Sequence, residues 1–191
     1  MADPPLLGPT PARQLGLPDP DDKVAVFLVP DAVPTGDLVV DLPSLAELMA
    51  YLPNTVELVV IAAGDHLDSA TRSQVEAMLA LIRDEDALAG SRPVSEALKE
   101  VEEGLVVRGV DRSGLVMACG PEVIRRSSLH QALARAVGTQ RASLTGLIAA
   151  TNGRVGLVEA SQAEGSAAGA AAGLQRPYGE GGSHPGSNRR P

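Results

Sequence analysis

The sequence predicts an α/β domain whose sheet is mostly parallel and flanked by helices. Two observations carry that expectation. Residues 24–29 (VAVFLV) and 56–62 (VELVVIA) are short runs rich in branched apolar residues, the pattern of strands buried on both faces. Between and after them come segments with helical periodicity and recognisable stops, so strands alternate with helices.

Taken in order, the first strand covers 23–29 and ends at Pro30. Ser44 then stands as an N-cap for a short helix over 45–52, halted by Pro53 and Asn54. The second strand covers 56–62. Asp68 or Ser69 opens an amphipathic helix to about Arg83, with Val75, Met78, Leu79 and Ile82 on one face. Between Pro93 and Val101 the local signals disagree: Val94, Leu98 and Val101 share a helical face, and Glu and Lys favour helix. Glu102-Glu103-Gly104 reads as a turn, and residues 105–110 (LVVRGV) as an extended segment. Asp111-Arg112-Ser113-Gly114 reads as a tight turn, because Asp accepts from the backbone two residues on and Gly tolerates positive φ. A short strand follows at 116–119. Pro121 and Glu122 start a helix to about Val137 with Gly138 as its stop. A last helix covers 144–150, ended by Asn152-Gly153, and a last strand covers 155–159.

The folded domain is expected over residues 23–161. Residues 1–22 are rich in Pro, Asp and Gly and read as a disordered leader; residues 162–191, rich in Gly, Ala and Pro, read as a disordered tail. No internal repeat is evident. In 191 residues, 44% hydrophobic content supports a core, but 2% aromatic content and the absence of Trp mean that Val, Leu, Ile and Ala must build it. A net charge of −8 argues against a nucleic-acid or anionic-membrane surface, since both call for a basic face. The single Cys excludes an internal disulfide and a thiolate metal cluster. Neither a membrane-spanning run nor a signal peptide is expected, which points to a cytoplasmic protein. Lys occurs only at 23 and 99 against many Arg, which suggests a high-GC bacterial gene.

Asp65, His66 and Asp68 cluster after a strand's C-terminal end, where α/β proteins place their sites. Three ligands on one short loop are thin support for a metal, and a surface loop with a helix cap is the plainer reading. Cys119 before Gly120-Pro121 would lie near a helix N-terminus, which lowers a thiol pKa, but a buried small side chain is the simpler role. His130 reads as a helix surface or packing residue. Gly36 and Gly64 lack the spacing of a dinucleotide fingerprint.

Pro93-Val94, Lys99, Val101, then Val110-Asp111-Arg112-Ser113-Gly114-Leu115 and Pro121 form an ordered pattern. It resembles the methylerythritol-phosphate cytidylyltransferase family of isoprenoid biosynthesis, in which two strands and a DR-[NS]-G-L turn make a protruding β-arm and a TPQ-type segment returns the chain to the catalytic domain. Residues 56–101 resemble that family's strand–HDAARP loop–helix–strand segment, and residues 153–161 its GRVxLVEGS strand. The resemblance implies a Rossmann-like domain with a β-arm at about 93–120, and makes 94–101 a strand despite its helical propensity.

The resemblance also shows what has changed. Where the family has a Gly-rich AAGxGxR loop, this chain has Asp31-Ala32-Val33-Pro34-Thr35-Gly36-Asp37, without the cations and with added carboxylates. The metal-binding Asp and neighbouring Arg of the HDAARP loop fall on Ala62 and Asp65. The Thr of TPQ falls on Gly120, the TDD acids on Ala142-Ser143-Leu144, and the NxKIT segment on the Gly/Ala tail. The family's CTP and Mg²⁺ motifs are thus missing, so no cofactor and no catalytic or metal residues are assigned. Arg112 matches the Arg that helps position methylerythritol phosphate from a neighbouring subunit's arm, and the companion Thr falls on Ala97. The alternative for Arg112 is a solvated turn residue paired with Asp111 or Glu103. The expectation is a non-catalytic homodimer through the arm, or a heterodimer with a full-length cytidylyltransferase. The rivals are an active nucleotidyltransferase with relocated residues Asp31, Asp37 and Asp65, and an unrelated small α/β binding module.

Overall fold

The computed structural model describes residues 8–19, 21–30, 38–95, 98–103, 105–136 and 141–159. Ten strands are seen among them: β1 (Thr10–Pro11), β2 (Val24–Val29), β3 (Val39–Asp41), β4 (Leu58–Ala63), β5 (Ala87–Pro93), β6 (Lys99–Glu102), β7 (Leu105–Gly109), β8 (Val116–Arg125), β9 (Arg141–Ser143) and β10 (Val155–Glu159). The helices are α1 (Leu42–Ala50), α2 (Ser69–Leu81), α3 (Arg126–Arg135) and α4 (Leu144–Ala150).

The main sheet has the order β1-β2-β4-β8-β5-β10. Strands β2, β4, β5 and β10 run one way, β8 runs against both its neighbours, and β1 pairs antiparallel at the edge. The sheet is therefore mostly parallel, as predicted. All six residues of β2 are buried, which is why that run lacks any alternation. One apolar layer (Phe27, Leu45, Met49, Ile61, Ile124, Leu144, Ile148) packs α1, α3 and α4 on one face. The other (Val26, Val60, Val75, Met78, Val123) packs α2 on the opposite face. Each such side chain contributes about 1.5–3 kcal/mol on burial, so aliphatic residues suffice without aromatics.

Three expectations need correction, and one central strand was missed. Residues 8–19, taken as part of a disordered leader, carry β1 and a 3₁₀ turn at Ala12–Leu15, with Ala12 and Leu17 buried. Two apolar side chains and one carboxylate anchor a segment whose composition suggests disorder. Helix α1 starts earlier than Ser44: Asp41 is its N-cap, accepting from the Ser44 N–H at 2.9 Å, and Pro43 occupies the first turn, where no N–H is needed. Pro121-Glu122 does not open a helix. Strand β8 runs through both to Arg125, because Val123 and Ile124 belong to opposite core layers and pair with β4 and β5 at once. Helix α3 begins only at Arg126. Finally, β5 was not anticipated as a central strand. Its Ala87-Leu88-Ala89-Gly90-Ser91 stretch has poor strand propensity, yet a Cβ on Gly90 would lie 2.8 Å from Gln74 Nε2 and 3.0 Å from the Cys119 carbonyl. Close approach at the bulge facing Gly120-Pro121 selects the small residues.

Strands β6 and β7 form a separate antiparallel hairpin, the expected β-arm, inserted between β5 and β8. Gly104, within the predicted turn, lies outside the described residues, as do the loop 31–37, Ala97, Gly138 and the tail from 160 onward.

Candidate functional site

The C-terminal ends of β2, β4 and β5 come together at one end of the sheet. The Gly64 N–H donates to the Val29 carbonyl at 2.8 Å, joining the first two, and Ser91 at the end of β5 is buried. Strand β8 enters at this end, bringing Cys119 opposite Gly90. This is where an open α/β sheet presents its ligand crevice.

Its polar equipment differs from what a metal would need. Ala62 and Ala63 close β4, Ala62 being fully buried. Asp65 and His66 are about four-fifths exposed, and the His66 Nδ1 meets the Asp65 carboxylate at 2.5 Å. That contact, chiefly as a side-chain hydrogen bond, lowers the Asp65 pKa. Asp68 is occupied in capping α2, where Oδ1 accepts from the Thr71 N–H at 2.7 Å. The residues do not fit a divalent cation at the position the resemblance gives, and among the described residues no cluster of three His, Cys, Asp or Glu could hold one.

The Thr71 backbone N–H, then its hydroxyl, holds the Asp68 carboxyl below the usual range. Asp68→Ala should lower the unfolding free energy by about 1 kcal/mol at pH 7. Because the folded pKa is depressed, that contribution is present above the unfolded value of about 3.9 and is lost as pH falls through the folded one. Urea titrations at pH 7 and well below pH 4 should therefore show the two proteins converging.

A buried polar cluster that sequence inspection missed lies at the same end. Glu122 is 1% exposed, and its Oε1 accepts from the Thr145 hydroxyl at 3.1 Å. Ser143 Oγ lies 3.1 Å from Thr145 Oγ1 and caps α4 through the Gly146 N–H. Ser143 thus serves helix capping at one of the positions where the family has acids. No local pattern marked Glu122: residues 121–124 are buried in succession, and the helix-start pattern of Pro121 pointed elsewhere. Cys119 sits within β8 rather than at the start of a helix, and burial raises its thiol pKa. His130 is on the exposed face of α3.

Arg112 lies in the turn after the arm, beside a shallow cleft of about 570 Å³ lined by Pro93, Val94, Asp111, Ser113, Gly114, Leu115 and Val116. Its guanidinium Nη1 donates to the Ser95 carbonyl rather than pairing with Asp111 or Glu103. Asp111 instead accepts from the Ser113 N–H at 2.9 Å and the Ser113 hydroxyl at 2.7 Å, and Gly114 takes φ +89°. The turn is built as predicted. Arg112 ties the arm's root to itself.

A Rossmann-like α/β sheet, with an arm spliced in ahead of an antiparallel central strand, defines a nucleotidyltransferase-like protein. The family model for 2-C-methyl-D-erythritol 4-phosphate cytidylyltransferase (IspD) matches residues 45–164, more than half of the chain. The chain belongs to this family. Similar solved structures include 4-diphosphocytidyl-2C-methyl-D-erythritol synthase from Anaerococcus prevotii, with a TM-score of 0.56 at 14% identity, covering 66% of this chain and 59% of that one. The 2-C-methyl-D-erythritol 4-phosphate cytidylyltransferase from Thermus thermophilus gives 0.51 at 23% identity, covering 63% and 59%. The chain thus spans about three fifths of the length of these structures, and the likeness concerns the fold. No curated protein matches the sequence.

Proposed function

We propose that this chain is a non-catalytic member of the cytidylyltransferase family that acts as a dimer through its β-arm in the cytoplasm. The observation that carries this reading is the contrast between two ends of one molecule. Where the resemblance places a metal carboxylate, β4 carries buried Ala62 one residue before its end. Meanwhile the arm keeps its hairpin and exposes Val101, Leu105, Val106 and Val107 by more than half each. A kept arm with exposed apolar residues, beside a metal position without its carboxylate, favours a binding role over turnover. Assay of pyrophosphate release from CTP and methylerythritol phosphate tests it directly, with turnover favouring the rival in which Asp31, Asp37 and Asp65 have taken over.

A second reading is favoured by Arg112. An arm that acts across a dimer could lend this guanidinium to a full-length cytidylyltransferase, reaching that partner's substrate phosphate. The bond to the Ser95 carbonyl would have to break first, and Ala97 supplies no companion hydroxyl. A charge-assisted contact of this kind contributes about 1.5–3 kcal/mol. In a co-purified complex, Arg112→Ala should raise the partner's substrate KM by about tenfold or more, while kcat changes less. Failure of the two proteins to associate, or unchanged kinetics, would remove the trans role and leave the homodimer.

A further inference from the structure

On the side opposite β10, β2 is the last long strand, with only the two-residue β1 beyond it, and its sequence, Val24-Ala25-Val26-Phe27-Leu28-Val29, has no polar residue. An apolar strand with an open side offers its backbone groups to any other strand that approaches. Among the described residues, only β1 pairs there. Residues 10–19 precede the family-matched segment 45–164, so this covering lies outside the part of the chain that the family pattern accounts for.

The covering is small and carefully fixed. Thr10 pairs with Val26 and Pro11 with Ala25, after which the chain turns away through the 3₁₀ turn. Ala12 and Leu17, 0% and 4% exposed, enter the apolar layer with Val26, Val60 and Met78. The Arg72 guanidinium on α2 donates to the Leu15 carbonyl. Gly16 beside it takes φ +72°, a left-handed conformation that favours glycine. Asp19 accepts from the Lys23 and Val24 N–H groups at 2.7 and 3.1 Å, fixing the chain where it re-enters the sheet. What β1 presents outward is two residues long, and one of them is a proline without an N–H. Short length and proline are the features by which sheets blunt their edges.

We propose that residues 10–19 form an edge guard. Seated, they close β2; lifted, they open it to strand addition by a second copy of this chain. The guard itself shows that the edge accepts an antiparallel strand, and two β2 strands related by a two-fold axis meet antiparallel with matching apolar faces. The guard's two-residue ladder is the shortest in the main sheet, so local opening would start there, against the hold of Ala12, Leu17, Asp19 and the Arg72–Leu15 bond.

The test uses the full chain carrying Val107→Lys, so that arm-mediated association does not contribute, and compares it with the same protein bearing Leu17→Ser or Ala12→Glu. Hydrogen exchange followed by mass spectrometry should show roughly tenfold or faster exchange over 8–19 and 24–29, with β5, β8 and β10 unchanged. Sedimentation velocity should show a concentration-dependent dimer relative to the Val107→Lys parent, and excess synthetic peptide of residues 8–19 should return it to the parent's mass. Equal loss of protection in β10 from the milder Leu17→Ser would make the segment an inseparable part of the global fold and overturn the proposal. An opened guard without dimer, or a dimer indifferent to the peptide, would overturn it as well.

Discussion

Purified protein incubated with CTP, Mg²⁺ and methylerythritol phosphate is expected to release no pyrophosphate above the uncatalysed rate. Nucleotidyl transfer concentrates negative charge on the triphosphate in its transition state, and the protein must supply fixed donors, cations and a metal carboxylate there. Loss of even one such group typically costs about 10²–10³ in rate. Here the position of the metal acid is Ala62, sealed in the sheet, and Asp65 and Asp68 are committed to His66 and to the start of α2. The Asp31–Asp37 sequence adds two carboxylates where phosphate would need cations. Losses at several independent positions compound, so the expected deficit is complete at ordinary assay sensitivity. Mg²⁺- and CTP-dependent turnover would reverse the conclusion. Abolition of that turnover by Asp31→Ala, Asp37→Ala or Asp65→Ala would then name the relocated residues.

The second large effect is on assembly. Val107→Lys should convert a dimer to a monomer in sedimentation equilibrium at micromolar concentration. Leu105 is 73% exposed, Val106 59%, Val101 56% and Val107 53%, in a hairpin that pairs with nothing else in the described chain. A two-stranded ribbon is marginal alone in water, and successive residues such as Val106 and Val107 project to opposite faces, so neither face is a polar one. Apolar residues on both sides of so thin an element fit an interface with an isologous partner. A lysine ammonium placed in such a contact must be desolvated without a counter-charge, which costs several kcal/mol and raises Kd by more than about a hundredfold. Wild-type protein sedimenting as a monomer at the same concentration would remove the arm as a dimer interface.

Much of the fold was legible because its elements carry their own signals. The all-apolar run of β2 and the N-capped α2 could be placed from sequence, and 144–150 and 155–159 match α4 and β10. The DRSGL turn was legible because Asp111 and Gly114 have local reasons to be there. Strand β5 was not, since its Ala and Gly are chosen by crowding against Gln74 and β8, a tertiary demand with no local mark. The second half of β8 was obscured by Pro121, a residue that favours helix starts. Only pairing with two neighbouring strands settles Val123 and Ile124 as strand. Three-residue strands such as β3 and β9 are too short to show periodicity, though their pairing places Ala142 and Ser143 beside Val40 and Val39. At the candidate site, the resemblance offered only expectations, such as Ala62 at the position of the metal-binding Asp. The buried contact between Glu122 and Thr145, 23 positions apart, depends on the folded chain and left no spacing to recognise.

The place at which the arm joins the body has a mechanical consequence. Both of its ends run into the middle of the main sheet: β5 leads into it and β8 out of it, and these strands are gripped from outside by β10 and β4. A pull on the arm along the strands therefore cannot peel an outer strand away bond by bond. It loads the β10–β5 and β4–β8 ladders in shear, with five and four paired residues sharing the force. A tug or twist applied at the arm is thus transmitted to Gly90 and Cys119, at the crevice end of the sheet, before it reaches the periphery. The arm is anchored like a mast stepped through the deck to the keel, and a partner gripping it holds the centre of the molecule.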